Sequence, residues 1–229
     1  MLNIEKNILE LKNKIKFLSD KSHFNEDVML LGATKTRSID QINAAIMAGL
    51  HDIAENRVQE FVDKFDFVKG GRWHFIGHLQ KNKVKYMVGK VWLIHSVDSY
   101  TLAEIINKRT VESQNILIQI NKGGEENKNG INLNEAKSLI KKIDENLSKI
   151  KILGLMVVMP IENDEKILRK HFQEVRAVFD KLKMVNFKNA KMKYLSMGMS
   201  SDFEEAILEG SNIVRIGTAI FGEREYKNT

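Results

Sequence analysis

Short apolar runs alternate with amphipathic helical segments along almost the whole chain of 229 residues. The runs are bounded by small and polar residues, which is typical of strands buried on both faces of a parallel sheet. The predicted strands are the run that begins at Val28 and residues 51–54, 73–76, 91–94, 115–120, 150–158, 192–195 and 211–216. An α/β barrel closes with eight parallel strands that alternate with helices. The pattern therefore predicts the α/β class and a single (β/α)8 barrel.

The predicted helices fill the intervals between these runs. They cover a stripe from Ile4 to Leu18, residues 39–49, a segment through Val58 and Phe65, a lysine-rich segment ending near Gly89, a segment from Asp98 or Ser99 to Lys108, and residues 134–146, 164–184 and 202–209. The first helix precedes the first strand, so residues 1–20 are predicted to pack on the barrel as an extra element of one domain spanning 1–229. The rival is an open doubly wound sheet, but residues 32–37 match neither the dinucleotide fingerprint nor the P-loop.

Composition limits the class of protein. The chain is 43% apolar and 29% charged, which suits one globular domain with a sizeable core. We predict a cytoplasmic protein, because the charged N-terminus lacks a signal-peptide core and no apolar stretch would span a bilayer. The absence of cysteine excludes disulfides, thiolate metal sites and thiol catalysis, and no metal site is predicted. The net charge of +6 is scattered among helical glutamates, so neither a membrane nor a specific nucleic-acid partner is expected.

Lys35 directly follows the first predicted strand. In a closed barrel the carboxyl ends of the strands form the active face. Apolar walls there would disfavour the charged form of a lysine and make its amine nucleophilic, so that it could form a Schiff base. The alternative is a solvated surface charge, because lysine and arginine together number 36 in this chain.

Small and hydroxyl-bearing residues follow the last two predicted strands, where barrels often bind phosphate. Ser200 and Ser201 precede a predicted helix start, and Gly217 and Thr218 follow the eighth strand. Backbone N–H groups with nearby hydroxyls suit a phosphate dianion. The alternative is structural, with Gly198 and Gly217 as tight turns and one of the two serines as a helix cap.

Arg215 is a charged residue inside the eighth predicted strand. A buried arginine is costly unless it is paired or hydrogen-bonded. One interpretation pairs it with a structural carboxylate such as Glu55. The other is a bond to a cofactor ring nitrogen, which an arginine would keep largely unprotonated.

Six motifs in this order resemble the pyridoxal phosphate homeostasis proteins, which are single-domain barrels related to the N-terminal domain of alanine racemase. The motifs are residues 33–36 (ATKT), 54–60 (AENRVQE), 73–83 (WHFIGHLQKNK), 154–156 (GLM), 195–200 (LSMGMS) and 214–222 (VRIGTAIFG). The resemblance covers about 28–224. It is looser in the glycine-rich loop 121–130, which has an extra glycine, and at the helix start after Pro160.

The resemblance implies a pyridoxal 5'-phosphate cofactor held covalently as a Schiff base on Lys35. It also implies phosphate contacts from Ser200, Gly217 and Thr218, and Arg215 near the ring nitrogen. Further pocket residues would be Asn56 and Met156, with His78 on the same face.

The function implied is that of a monomeric carrier that buffers the cofactor in vitamin B6 and amino-acid homeostasis, with apo-enzymes that use pyridoxal phosphate as its candidate partners. A racemase needs a second acid/base group, and Tyr226 in the terminal tail is poorly placed to supply one. The predicted roles of Tyr86, Tyr100 and Tyr194 are in packing. The alternatives are a weak racemase or lyase that uses Lys35 and, from another class, a sugar-phosphate barrel or nucleic-acid binder.

Overall fold

The fold is a closed barrel of eight parallel strands, in which β1 to β8 follow each other in chain order and β8 pairs with β1. The structure is a computed structural model that describes residues 3–123, 129–160 and 162–223. The strands are β1 (Met29–Ala33), β2 (Asp52–Glu55), β3 (Arg72–Phe75), β4 (Leu93–Val97), β5 (Gln114–Asn121), β6 (Ile150–Val158), β7 (Tyr194–Met199) and β8 (Ile213–Ile216). The prediction of a closed barrel is therefore confirmed, and the alternative prediction of an open doubly wound sheet is wrong.

Helices connect the strands and cover the outside of the barrel. They are α1 (Ile4–Lys21), α2 (Ile39–Met47), α3 (Val58–Phe65), α4 (Tyr100–Arg109), α5 (Ala136–Asn146), α6 (Glu165–Lys183), α7 (Phe203–Leu208) and α8 (Thr218–Phe221). Two short 3₁₀ helices lie at Lys81–Tyr86 and Leu133–Glu135. Of the helices described, none combines the length and the apolar character needed to cross a membrane.

The extra helix α1 packs on the barrel's outer helices, α2, α7 and α8. Asn3 caps its start by accepting a hydrogen bond from the backbone N–H of Lys6. The apolar stripe read from the sequence faces inward, and Ile8 is 1% exposed. Asn7 Nδ2 also donates to the carbonyl of Ile220 in α8, at 3.0 Å.

The strands bury both of their faces, as the apolar runs predict. A large apolar cluster fills the space between the strands and the helices. A smaller one fills the barrel's interior, and its buried members are Leu31, Ala54, Leu93, Leu117, Met156 and Ile213. Because side chains two positions apart on a strand share a face, polar residues at alternate positions enter the same interior. Arg215, two residues after Ile213 and 6% exposed, is one of them.

Three predicted elements differ from the structure, and one of them is the fourth strand, which is predicted over 91–94 and spans Leu93–Val97. The lysine-rich segment is a 3₁₀ helix that ends at Tyr86. Its buried residue Val84 and the buried C-cap residue Met87 are spaced by three, which suits the three residues per turn of that helix. Strand β7 continues to Met199 through residues predicted as a loop. Its register with β8 shifts between Ser196 and Met199, so an irregularity absorbs these small residues without ending the strand.

Candidate functional site

A pocket of about 320 Å³ lies at the carboxyl ends of the strands. Its lining residues are Ala33, Lys35, Asn56, Ile76, Met156, Val158, Met199, Ser200, Ser201, Arg215, Gly217 and Thr218. All seven residues predicted from the sequence as cofactor-binding are among them. They come from the ends of β1, β2, β6, β7 and β8, so barrel closure alone brings them together.

Lys35 is half-buried and leaves β1 through a constrained loop. The next residue, Thr36, has a φ of +63°, a left-handed conformation that non-glycine residues rarely adopt. Its backbone N–H donates to Glu60 Oε2 at 2.7 Å, which ties the loop to α3. Strained backbone of this kind persists where surrounding contacts determine it, and it is frequent at functional sites.

A buried ionic cluster supports the same loop from below. Lys64 Nζ donates to the Thr34 carbonyl at 3.0 Å, to Glu55 Oε1 at 2.7 Å and to Glu60 Oε2 at 3.0 Å. Burial raises the pKa of Glu55, against the opposing effect of Lys64. Burial also acts to raise the pKa of Glu60, but hydrogen bonds from Thr36 and Lys64 outweigh it and lower that pKa. The residues flanking Lys35 are thus fixed by a charged network.

Arg215 reaches the pocket from β8 and is held by the backbone of two neighbouring strands. Nη1 donates to the Ser196 carbonyl at 2.8 Å and to Ser196 Oγ at 2.9 Å, and Nη2 donates to the Val157 carbonyl at 2.9 Å. Burial lowers the pKa of Arg215 to about 10, and the Asp202 carboxylate opposes that shift, so the guanidinium stays charged at neutral pH. The interpretation that Arg215 pairs with Glu55 is wrong, because Lys64 and Thr34 occupy that carboxylate.

Asn56 contributes an acceptor that the protein leaves unused. Its Oδ1 is buried and has no hydrogen-bond partner among the described residues. The loop that carries it is packed tightly against Gly77, where an added Cβ would lie 1.8 Å from the Asn56 carbonyl oxygen. A buried unsatisfied acceptor is unfavourable, so its presence in a pocket fits a ligand with a hydroxyl or N–H group. Met156, 1% exposed, supplies an apolar wall.

Three exposed residues with hydroxyl groups line the pocket, namely Ser200, Ser201 and Thr218. The alternative role of Ser200 or Ser201 as a helix cap is wrong, because Asp202 occupies the N-cap position of α7. Asp202 Oδ1 accepts the Met199 N–H at 2.6 Å, which fixes the start of this loop. Burial raises the pKa of Asp202, partly offset by that hydrogen bond and by Arg215.

Other residues considered from the sequence lie elsewhere. His78 is exposed and does not line the pocket. Tyr194 begins β7 and lines a cavity at the opposite end of the barrel. Tyr226 and the glycine-rich loop's residues 124–128 lie outside the described residues. The pocket residues that the sequence patterns do not indicate are Ala33, Ile76, Val158 and Met199. Their positions at strand ends are the signal that could have indicated them.

Known proteins resemble this chain over most of its length. Residues 9–225 match the family model of the alanine racemase N-terminal domain. A pyridoxal phosphate homeostasis protein of Aquifex aeolicus is 47% identical over 203 residues, covering 86% of this chain and 87% of the relative. The Escherichia coli protein of that name is 37% identical, covering 99% of each chain.

Solved structures share the barrel. A Bifidobacterium adolescentis structure described as an unknown protein is 34% identical, with a TM-score of 0.87, covering 95% of this chain and 94% of its own. PipY of Synechococcus elongatus, described with pyridoxal phosphate (PLP) bound, is 27% identical, with a TM-score of 0.82, covering 96% and 100%. An alanine racemase of Clostridium difficile is 19% identical, with a TM-score of 0.73, and shares the fold over 57% of its length.

Proposed function

The chain belongs to the family of pyridoxal phosphate homeostasis proteins, and from this premise we propose that its pocket binds PLP and that the protein carries and buffers this cofactor. One observation carries the proposal. A single pocket of about 320 Å³ is lined by a lysine, an arginine and three hydroxyl-bearing residues, which are Lys35, Arg215, Ser200, Ser201 and Thr218. PLP presents an aldehyde, a ring nitrogen and a phosphate, and each of these has a matching group in the pocket. PipY, a relative described with PLP bound, supports the same ligand.

In this proposal Lys35 holds the cofactor covalently. Lys35 Nζ would hold the cofactor by condensing with its aldehyde, in which a C=N bond would replace the C=O bond and the oxygen would leave as water with the two protons of the amine. The cluster of Lys64, Glu55 and Glu60 supports this role, because it fixes the residues on both sides of Lys35. The reaction is reversible by water, which suits a protein that must release its cargo.

The remaining groups hold the cofactor without covalent bonds. Ser200, Gly217 and Thr218 contact the phosphate, whose charge strengthens the hydrogen bonds that it accepts. The Arg215 guanidinium donates to the ring nitrogen, and because it has no acceptor it leaves that nitrogen unprotonated. Asn56 Oδ1, buried and without a partner among the described residues, fits the hydroxyl on the cofactor ring.

We favour a carrier over an enzyme because Lys35 is the one side chain among the described lining residues that can act as a base near neutral pH, whereas racemisation needs a second. None of the described residues that line the pocket is a tyrosine or a histidine. The alternative is a weak amino-acid racemase or lyase that uses Lys35 as its base. Transfer to apo-enzymes, a monomeric state and a cytoplasmic location stay predictions, which a transfer assay, sedimentation and cell fractionation would test.

Borohydride reduction of the PLP-loaded protein tests the covalent site. We expect the wild-type protein to absorb as a Schiff base and the reduced adduct to map to Lys35 by mass spectrometry. Lys35→Ala should lose both signals. Lys81→Ala is the matched control, because Lys81 belongs to the motif 73–83 but does not line the pocket, and it should keep both signals. An adduct on Lys81 or Lys83 in the wild-type protein would overturn the assignment.

A further inference from the structure

A chain of buried polar side chains crosses the interior of the barrel and ends at Arg215. His74 Nε2 lies 2.9 Å from Asp52 Oδ1, and His74 Nδ1 lies 2.9 Å from His95 Nε2. His95 Nδ1 lies 3.3 Å from Ser196 Oγ, which accepts from Arg215 Nη1 at 2.9 Å. The five residues come from five strands, and both histidines are 0% exposed.

The two ends of the chain differ in what they can do. Arg215 has only donors, and the ionised Asp52 has only acceptors. His74 must therefore carry its proton on Nε2, which leaves Nδ1 as an acceptor for His95 Nε2–H. His95 Nδ1 is then an acceptor for the Ser196 hydroxyl, whose oxygen receives Arg215. With both imidazoles neutral, all hydrogen bonds of this chain of side chains have the same direction, and in each of them the donor is the group nearer to Arg215.

The electrostatics agree with this assignment. Burial lowers the pKa of His74 despite the opposing effect of Asp52. Burial lowers the pKa of His95 well below its usual value, and His74 and Arg215 add to that effect. Burial acts to raise the pKa of Asp52, but hydrogen bonds from His74 and Arg72 lower it overall. At neutral pH the carboxylate is therefore charged and both rings are neutral.

Asp52 lies at the opposite end of the barrel from the pocket. It begins β2 and lines two surface cavities at that end, of about 330 and 520 Å³. It also accepts from Arg72 Nε at 2.6 Å. The chain thus joins a carboxylate near solvent to the arginine of the pocket.

We propose that Asp52, His74, His95 and Ser196 are positioning residues, which hold Arg215 as a fixed donor toward the ring nitrogen of the cofactor. This inference rests on the proposed function for its ligand. The carboxylate sets the tautomer of both imidazoles, and these orient the Ser196 hydroxyl so that its oxygen faces Arg215. Because the Arg215 guanidinium is already held in place, its side chain loses less conformational freedom when it donates to the ring nitrogen of the cofactor.

The first experiment needs no ligand. Proteins labelled with ¹⁵N-histidine are compared by NMR at neutral pH, and the wild-type protein should show His74 and His95 as Nε2–H tautomers. In Asp52→Asn an amide can also donate, so both rings should show a second tautomer together. Arg72→Gln removes the ion pair to the same carboxylate and should keep the wild-type tautomers. Mixed tautomers in the wild-type protein would overturn the one-way chain.

The second experiment uses two ligands that differ at one atom. Dissociation constants are measured for PLP and for its 1-deaza analogue, in which a C–H group replaces the ring nitrogen. Ser196→Ala should weaken PLP binding about threefold to tenfold, the effect of one hydrogen bond, and leave the analogue unchanged. The matched control is Ser96→Ala, since Ser96 Oγ is also buried but has no partner among the described residues.

The outcomes separate this inference from the proposed function. If Ser196→Ala weakens the binding of both ligands equally, the chain of buried polar side chains has only a structural role and the inference fails. If neither ligand binds to the wild-type protein, the proposed function fails while the NMR result still reports the direction of the chain. Asp52→Asn, changed far from the pocket, should reproduce the selective loss of PLP if Ser196→Ala does not fold.

Discussion

The ammonium group of Lys64 lies 2.7 Å from Glu55 Oε1, directly below the loop that carries Lys35. The Glu55 side chain is fully buried, and that of Lys64 is 11% exposed. Lys64 also donates to the carbonyl of Thr34, the residue before Lys35. A buried ion pair is retained only if its partners satisfy each other, so this pair couples the stability of the fold to the position of Lys35.

Removing one member of this pair should destabilise the protein strongly. We expect Lys64→Met to lower the free energy of unfolding by about 3–5 kcal/mol, because Glu55 is left as an uncompensated buried charge. Adding Glu55→Gln to Lys64→Met should recover part of the loss. Urea unfolding measures each value.

The control for this prediction is an exposed ion pair. Lys108 lies 3.0 Å from Glu104 on α4, and Lys108→Met should cost about 0.5 kcal/mol or less. Equal losses for Lys64→Met and Lys108→Met would show that the buried pair has no special role.

The phosphate contacts should be visible as a loss of affinity. Ser200→Ala and Thr218→Ala should each weaken PLP binding by ~0.5–3 kcal/mol, the contribution of one charge-assisted hydrogen bond. Pyridoxal, which lacks the phosphate, should bind the wild-type protein poorly. Thr101→Ala, an exposed threonine on α4, is the control and should bind PLP normally. Equal affinity for the two vitamers would rule out a phosphate site in these loops.

Proton exchange distinguishes a carrier from an enzyme. With Lys35 as the one positioned base, α-proton exchange of alanine in deuterated water should be slow and confined to one face, so the stereocentre is not inverted. Arg215 slows it further, because an unprotonated ring nitrogen is a weak electron sink. Deuterium incorporation and the enantiomer ratio are measured against free PLP and Lys35→Ala. Turnover of about 1 s⁻¹ or faster would favour the enzymatic alternative.

The buried histidines should make stability depend on pH. Burial lowers the pKa of His74 and of His95 below the ordinary value of 6.5, so the unfolded chain binds protons that the folded chain does not. The contribution of the neutral histidines to the free energy of unfolding is fully present above pH 6.5. It falls as the pH drops below 6.5, by up to about 1.4 kcal/mol per pH unit for each histidine. Glu55 and Asp202, whose pKa values burial raises, act in the opposite direction.

A comparison of variants isolates the histidine contribution. Between about pH 7.5 and about pH 5.5, His95→Gln should lose free energy of unfolding less steeply than the wild-type protein. His51→Gln, at an exposed position, is the control and should follow the wild-type slope. Parallel slopes for the wild-type protein and His95→Gln would contradict the prediction.

Much of the fold and of the pocket could be predicted from the sequence. Local apolar runs determine buried strands, and their alternation with helices determines the barrel, because neither signal depends on distant residues. Lys35, Ser200 and Gly217 could be placed at the pocket for the same reason, since each lies in the segment that follows a predicted strand. The local signal was weakest where Ser196 and its neighbours extend β7, because polar and small residues do not form an apolar run.

Only the tertiary structure decided which buried polar groups meet. Arg215 binds Ser196 and the Val157 carbonyl and not Glu55, and Glu55 instead binds Lys64 and Thr34. His95 and Ser196 are 101 residues apart in the sequence, yet they share the barrel's interior. A buried polar group must find a partner, but the sequence does not state which one. That choice depends on which strands become neighbours and how their registers align when the barrel closes.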